Sequence, residues 1–415
     1  MRLRSGRSES CHSREDFRPT DFCRFSPSPH PPAHVVVRAP SDGLIMLGTA
    51  IVGCGAIVAD LHAHPLRRLE NLGGVDVRVL VDRDPGRASA LRRWFPDARV
   101  ATSLTAALQP GDIHLTFIAT PPSLHRSLTL DALKAGCHVF CEKPLATTAA
   151  DARELVRAAD AADRVLAVAH PRRFFPNTLA VRTLIASGQL GEPLQFVFRE
   201  GSPYDWSIAT DAAFRRATAG GGVLLDKGVH CLDTLDSLFG TGHVLASWDD
   251  SLHEGVETNS KVELETSSGR GVVHLSWDQA LNNGLWIRGP KGEIRMDTTE
   301  ITRYQQRDPG GSWRRYDCNE SWPSDLTPAG GSRKTPYNYY DCGDLEWINL
   351  VRSIRGLESP AVDGIVAARV LHQIENAYRM AQPLDQPWFS SSEQAFWRAR
   401  HWHATKAAPQ NHPTQ

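Results

Sequence analysis

Apolar and polar positions along this chain fall into two regimes. From Thr49 to about Val168, short β-rich apolar runs alternate with stretches of helical period. Strands are predicted at Thr49–Val52, Val75–Val81, Ile113–Ile118, Cys137–Cys141 and Val165–Val168. Helices are predicted between them, at Ile57–Leu72, Pro85–Phe95, Ser123–Ala135 and Thr148–Ala162. Such alternation implies βαβ units and a parallel sheet. Right-handed crossovers then gather the strand C-termini on one edge, where ligands bind in sheets of this kind.

Beyond Pro176 the period changes. A helix (Asn177–Ser187), a strand (Leu194–Glu200) and a helix (Val223–Phe239) lead into the alternating runs Ser260–Thr266, Gly271–Trp277, Gly284–Gly289 and Glu293–Asp297. Ser-Gly, Asn-Gly and Lys-Gly pairs between these runs are hairpin signals. The expectation is an antiparallel, open-faced sheet with helices on one side, an α+β domain. Residues 307–337 read as a long loop or insertion, and Glu346–Arg355 and Val362–Met380 as late helices. The first 45 residues, with seven Ser, six Pro and seven Arg and no period, read as disordered, or else translation begins at Met46. The expected division is a disordered extension (1–46), a parallel α/β domain (47–169), an α+β domain (170–388) and an irregular tail (389–415).

Composition narrows the function classes. Lys plus Arg total 46 against 47 Asp plus Glu in 415 residues, which argues against a protein built to coat nucleic acid. No apolar run approaches the roughly 18 residues that span a bilayer. The eight cysteines include no CxxC pair, so neither a metal knuckle nor a disulfide scaffold is expected, and a reducing cytosol fits.

Four stretches carry candidate chemistry. In Ala50-Ile-Val-Gly53-Cys54-Gly55-Ala56-Ile57-Val58, two glycines allow a tight strand-to-helix turn and close approach of backbone to a pyrophosphate. The third small residue of that fingerprint is replaced by Val58. Asp82, ending the next strand, can accept from adenosine ribose hydroxyls and favours NAD. Arg83 beside it can swing to a 2′-phosphate, so NADP stays open; alternatively Asp82 merely ends the strand and helps cap the Pro85 helix. Thr120-Pro121-Pro122-Ser123-Leu124-His125 follows a strand on the same edge, or is a Pro-rich turn capped by Ser123. Cys141-Glu142-Lys143-Pro144 also follows a strand; a lysine there can steady a developing alkoxide, or the stretch is a solvated loop. In Gly220-Gly-Gly-Val-Leu-Leu-Asp226-Lys-Gly-Val-His230, helical i,i+4 spacing lets a carboxylate meet an imidazole and tune it for proton abstraction. The bland alternative is a satisfied core histidine, against which the triple glycine implies backbone passing close to a ligand or partner.

Taken together, AIVGCGAI, ATPPSLH, ALKAGCHVFCEKPL, RRFFPN and GGGVLLDKGVHCLD, in this order, resemble the Gfo/Idh/MocA oxidoreductases, relatives of glucose–fructose oxidoreductase and inositol dehydrogenase. The resemblance covers about Thr49 to Asp297 and resumes at Val362–Met380. It implies an N-terminal Rossmann doubly wound sheet and a C-terminal domain with a large open antiparallel sheet, often used in oligomerisation. A homo-dimer or homo-tetramer is therefore expected. It implies a dinucleotide held by Gly53, Cys54, Gly55, Ala56, Ile57, Asp82, Arg83, Thr120, Pro121, His125, Glu142 and Lys143. It also implies a catalytic set of Lys143, Asp226 and His230, with His230 as general base, Lys143 orienting the hydroxyl and Asp226 holding His230. The family's Lys-Pro bond is commonly cis. His170, Arg173 and Tyr204, with Asp205 and Trp206, are expected beside Asp226 and His230 on the substrate side. The implied activity is hydride transfer between NAD or NADP and a secondary alcohol of a sugar, cyclitol or nucleotide sugar, with no metal ion. The competing readings are a dihydrodiol or imine substrate, transient oxidation, or a dinucleotide-sensing regulator.

Overall fold

The computed structural model describes residues 46–204, 214–251, 255–318 and 338–384, with a few positions as far as 395. The first half alternates strictly. It runs β1 (Leu47–Val52), a π-helical turn (Val58–His62) merging into α1 (Ala63–Asn71), β2 (Val75–Val81), α2 (Pro85–Leu91) and β3 (Arg99–Ala101). Then come α3 (Leu104–Leu108), β4 (Leu115–Ile118), α4 (Pro122–Lys134), β5 (His138–Cys141), α5 (Ala149–Ala162) and β6 (Leu166–Val168). The six strands lie in the order β3-β2-β1-β4-β5-β6, every adjacent pair parallel. The order reverses between β1 and β4, which opens a crevice beyond their C-terminal ends.

Alternation on these strands feeds two cores. Ala50, Val52, Val79, Val81 and Ile118 face one, while Ile51, Leu80 and Phe117 face the other. Three of the helices begin where the sequence supplies a cap: Asp84 accepts from Gly86 N–H, Ser103 from Ala106 N–H and Thr148 from Asp151 N–H. The short β3 and α3 lie in a stretch to which no element was assigned, because neither is long enough to show a period.

The second half supplies α6 (Pro176–Ala186), β7 (Leu194–Gly201), α7 (Arg216–Ala219), a π-helical turn (Leu224–Gly228), α8 (Val229–Phe239) and β8 (His243–Asp249). After these come β9 (Asn259–Glu265), β10 (Gly269–Ser276), β11 (Gly284–Gly289), β12 (Gly292–Met296), β13 (Arg303–Arg307) and β14 (Arg314–Asp317). The last elements are α9 (Tyr339–Ile354), α10 (Gly364–Met380) and β15 (Ala381–Pro383). Nine strands form one sheet in the order β14-β13-β12-β11-β7-β10-β9-β8-β15. It is mixed rather than wholly antiparallel, since β7 pairs parallel with β10, and β8 with β15. Neither pair is joined by a hairpin, so no turn forces opposite directions. Phe196, Phe198, Val262, Leu264, Val273, Leu275, Leu285 and Ile287 line the covered face, packed with Val229, Leu232 and Phe239 of α8.

A further expectation is revised. The stretch 307–337 was expected to be a loop, yet it contains β14, paired with β13. All four β14 residues are exposed, so the strand shows no apolar alternation. Residues 319–337 lie outside the described residues, as do 1–45, Asp205, Trp206 and nearly all of the tail. Helix α9 turns back onto the first sheet: Trp347 is fully buried, its ring 5.1 Å from that of Phe117 and 4.7 Å from that of Phe140.

Candidate functional site

The glycine loop is built from clashes that only glycine avoids. Gly53 has φ +93°, and a Cβ there would lie 2.4 Å from the Ala119 carbonyl oxygen. Gly53→Ala is expected to cost on the order of 3 kcal/mol of folding stability, read from urea unfolding. Gly55 is the opposite case, since a Cβ there meets nothing within 4 Å. Gly55→Ala is expected to fold normally and to weaken dinucleotide binding, read by calorimetry. The helix opens at Ala56, so its first N–H groups and the positive end of its dipole face this space. Val58, the departure from the fingerprint, is fully buried in the second core.

Asp82 stands at the same mouth. Its Oδ2 accepts from Cys54 N–H at 2.9 Å and its Oδ1 from Asp84 N–H at 2.9 Å, which holds the carboxylate beside the loop with lone pairs to spare. Arg83 is exposed next to it. The Cys54 thiol is pushed up to about 12 by burial and the Asp82 charge, and is chemically quiet. Across the crevice, the buried Thr120 hydroxyl has no hydrogen-bond partner among the described residues. A glycine cradle open to the crevice, a helix N-terminus, a carboxylate at the strand end and an orphaned hydroxyl together fit a dinucleotide.

His125 and Glu142 are spent inside the protein instead. His125 is fully buried, with Nδ1 2.7 Å from the Pro144 carbonyl and Nε2 2.7 Å from the Thr120 carbonyl. It brackets the loop after β4 to the loop after β5. Burial pulls its proton affinity below the ordinary histidine value, although both carbonyls favour the charged form. Glu142 Oε1 lies 2.7 Å from His62 Nε2, and its Oε2 accepts from Lys143 N–H at 3.0 Å. Trp347 Nε1–H donates to His62 Nδ1 at 3.1 Å; an indole can only donate, so the His62 proton sits on Nε2 and points at Glu142. Burial raises Glu142, but the His62 bond and the Lys143 charge outweigh it and hold the carboxyl below its usual range. Both residues thus shape the Lys143 loop, whose bond to Pro144 is cis.

Lys143 reaches across to the second domain. Its Nζ donates to Asp226 Oδ1 at 2.7 Å and to the Asp226 carbonyl at 3.1 Å. The expected Asp226–His230 contact is replaced by this pair, and His230 Nδ1 has no hydrogen-bond partner among the described residues. The ammonium outcompetes an imidazole for the carboxylate, and the wide π-helical turn over Leu224–Gly228 offsets Asp226 from α-helical i,i+4 stacking. An ammonium has three donors, so one remains for a ligand. Enclosure by protein, with the charges of Lys143 and Arg172, keeps His230 well below the ordinary histidine range, hence neutral at pH 7. Its ring meets that of His170 edge-on at 5.6 Å.

The expected substrate residues divide. His170 is buried beneath His230, with its Nδ1 3.6 Å from Asp233 Oδ2 and its N–H donating to Glu346. Arg173, expected to meet substrate, is consumed by Asp233, giving Nε at 3.0 Å and Nη2 at 2.7 Å to a carboxylate with no exposed surface. A buried carboxylate demands such a partner. Tyr204 packs its ring against those of Trp277 and Phe214 at distances of 5.2 Å each. The triple glycine has a different reason from the one expected: a Cβ at Gly222 would strike the Glu257 carbonyl at 2.0 Å, and one at Gly221 the Tyr378 hydroxyl at 2.1 Å. The close neighbours are the stretch just ahead of β9 and helix α10 of this same chain. Local sequence gives no sign of Glu257, His62, Trp347 or Glu346; only Asp233, three residues after His230, stood within a stretch already singled out.

Comparisons with known proteins bear on the family and the fold. Residues 47–170 match the family described as "Oxidoreductase family, NAD-binding Rossmann fold", and residues 178–295 match its "GFO/IDH/MocA C-terminal domain". The chain is 40% identical over 167 residues to 1,5-anhydro-D-fructose reductase of Ensifer adhaerens, covering 39% of this chain and 48% of that protein. It is 34% identical over 202 residues to inositol 2-dehydrogenase of Acidothermus cellulolyticus, covering 48% and 55%. The chain thus spans about half the length of the curated relatives it matches. In fold it is similar to a levoglucosan dehydrogenase solved with NADH, with TM-score 0.70 and 20% identity, covering 81% of this chain and 98% of that one. The two family matches together span more than half of the sequence, one containing Lys143 and the other Asp226, which are paired across the two halves: the chain belongs to the Gfo/Idh/MocA family of NAD-binding oxidoreductases.

Proposed function

We propose that this protein is an NAD(P)-dependent dehydrogenase acting on a secondary alcohol, or the matching ketone, of a sugar, cyclitol or nucleotide sugar. The observation that carries the reading is the 2.7 Å Lys143–Asp226 pair, which joins the Rossmann edge to the second domain beside a neutral His230. In this reading the N–H groups of Gly53 to Ile57 and the Asp82 carboxylate hold the dinucleotide, with Thr120 and Pro121 along its nicotinamide half. When bound, the nicotinamide supplies the carbon that takes or gives a hydride. The third N–H of Lys143 donates to the substrate hydroxyl oxygen and stabilises negative charge there as the O–H proton leaves. His230, neutral and with lone-pair capacity, accepts that proton. Asp226 keeps the ammonium aimed, a role different from orienting the histidine. Asp82 favours NAD, and the adjacent Arg83 leaves room for NADP.

The relatives named for an anhydro sugar and for inositol support a polyol substrate. The test is cofactor reduction, followed by absorbance, over inositols, anhydro sugars, glucosides and nucleotide sugars with both dinucleotides. Net reduction with one class is the expected result. Tight dinucleotide binding with no turnover of any polyol would overturn the reading in favour of a regulator.

A homo-oligomer is part of the proposal. The uncovered face of the second sheet carries Trp248 and Trp286, with Lys261 4.4 Å from the first ring and Arg199 5.4 Å from the second. Half-buried tryptophans beneath cations suit a self-complementary contact, and light scattering gives the mass. A cytoplasmic setting is part of the proposal; among the described residues no helix is long and apolar enough to cross a membrane, and the six described cysteines are free thiols.

A further inference from the structure

A fully buried titratable group that this mechanism does not use lies under the turn that carries Asp226. Glu257, with no exposed surface, sits just ahead of β9. Its Oε1 accepts from Gly222 N–H at 3.0 Å, from Leu224 N–H at 3.0 Å and from the Tyr378 hydroxyl at 2.7 Å. Oε2 takes a second, shared contact from Gly222 N–H at 3.1 Å. Its own carbonyl accepts from Val223 N–H at 3.1 Å. One residue thus binds three consecutive backbone N–H groups at the entrance to the helical segment that bears Asp226 and His230. We propose that Glu257 is a positioning residue for the reaction, its carboxylate fixing the turn that presents Asp226 to Lys143.

The surroundings make this hold sensitive to protonation. Among the described residues, Asp249 of β8, Tyr378 of α10 and Arg216 of α7, the last at 3.8 Å, are the titratable or charged groups facing the carboxyl. Burial and the Asp249 charge push Glu257 up to about 7, against the pull of its donors. Burial and the Glu257 charge keep the Tyr378 phenol protonated, so it remains a donor. Taking up a proton removes the charge that three donors converge on, and the turn loosens. Turnover therefore falls as pH drops through this range, for a reason separate from His230, which titrates lower.

The inference rests on the dehydrogenase reading, and its test has a readout that does not. In Glu257→Gln the kcat at pH 8 is expected to fall about tenfold with the dinucleotide KM unchanged, and the acid limb centred near 7 to vanish. Tyr378→Phe removes a donor to the carboxylate and is expected to move the limb to higher pH. Asp249→Asn removes a like charge and is expected to move it lower. A purely structural role would not give opposite shifts; equal shifts or none, or a limb that survives Glu257→Gln, would overturn the assignment. The independent readout is Tm against pH. Folded Glu257 keeps its proton to higher pH than unfolded Glu257, so its contribution is complete below 4.5 and is lost as pH rises to about 7. Glu257→Gln is expected to remove that component of the slope, and an unchanged slope would refute the inference even if no polyol is ever turned over.

Discussion

Lys143→Ala is expected to lower kcat by about 10²–10³-fold while leaving dinucleotide affinity within about twofold. The ammonium is the donor left for the substrate oxygen, and the charge it stabilises exists chiefly in the transition state, so its loss falls on kcat rather than on ground-state binding. The Glu142–His62–Trp347 chain fixes the backbone of residue 143 through its N–H, not its side chain, so the loop keeps its shape in the variant. Single-turnover kinetics with calorimetric titration of the dinucleotide would test this. Unchanged turnover would remove Lys143 from the chemistry, and a parallel collapse of dinucleotide affinity would move it to a binding role.

His230→Gln is expected to lower kcat by about 10²-fold and to abolish the lowest-pH limb of the kcat/KM profile. In the wild type that limb lies below the ordinary histidine value of 6.5, because enclosure and the Lys143 charge disfavour the imidazolium. The sign follows: His230 is a competent base at neutral pH and loses activity only as acid protonates it. A limb above 6.5 that disappears with His230→Gln would contradict the neutral-base assignment. The change also probes His170, whose ring packs edge-on at 5.6 Å. Because His170 is buried and its N–H is tied to Glu346, it keeps its place when residue 230 changes.

Much of the first domain could be read in advance because its signals are local. Val75–Val81 alternates and is flanked by turn residues, and Gly53 must adopt a φ that only glycine takes easily. The second sheet was partly legible for the same reason: Gly284–Gly289 lies between turn signals and pairs with its neighbour through a tight hairpin. The failures have a common cause as well. β14 has no buried face, so nothing in its side chains marks it as a strand. Arg173 looked like a pocket residue until a buried carboxylate sixty positions away claimed it. The triple glycine pointed to close approach, but not to whether the approaching atoms belonged to a ligand or to Glu257.

Most strands of the two sheets, the glycine turn and the kinds of side chain brought to the strand ends were legible in the chain, because period, φ and capping depend on neighbours a few residues apart. Which charge answers which depended on the folded arrangement. Lys143 and Asp226 are 83 residues apart, and the carboxylate paired with the ammonium across the crevice rather than with the imidazole four positions on. That choice follows from distance in space and competition among buried charges, neither of which is written in the spacing of a motif.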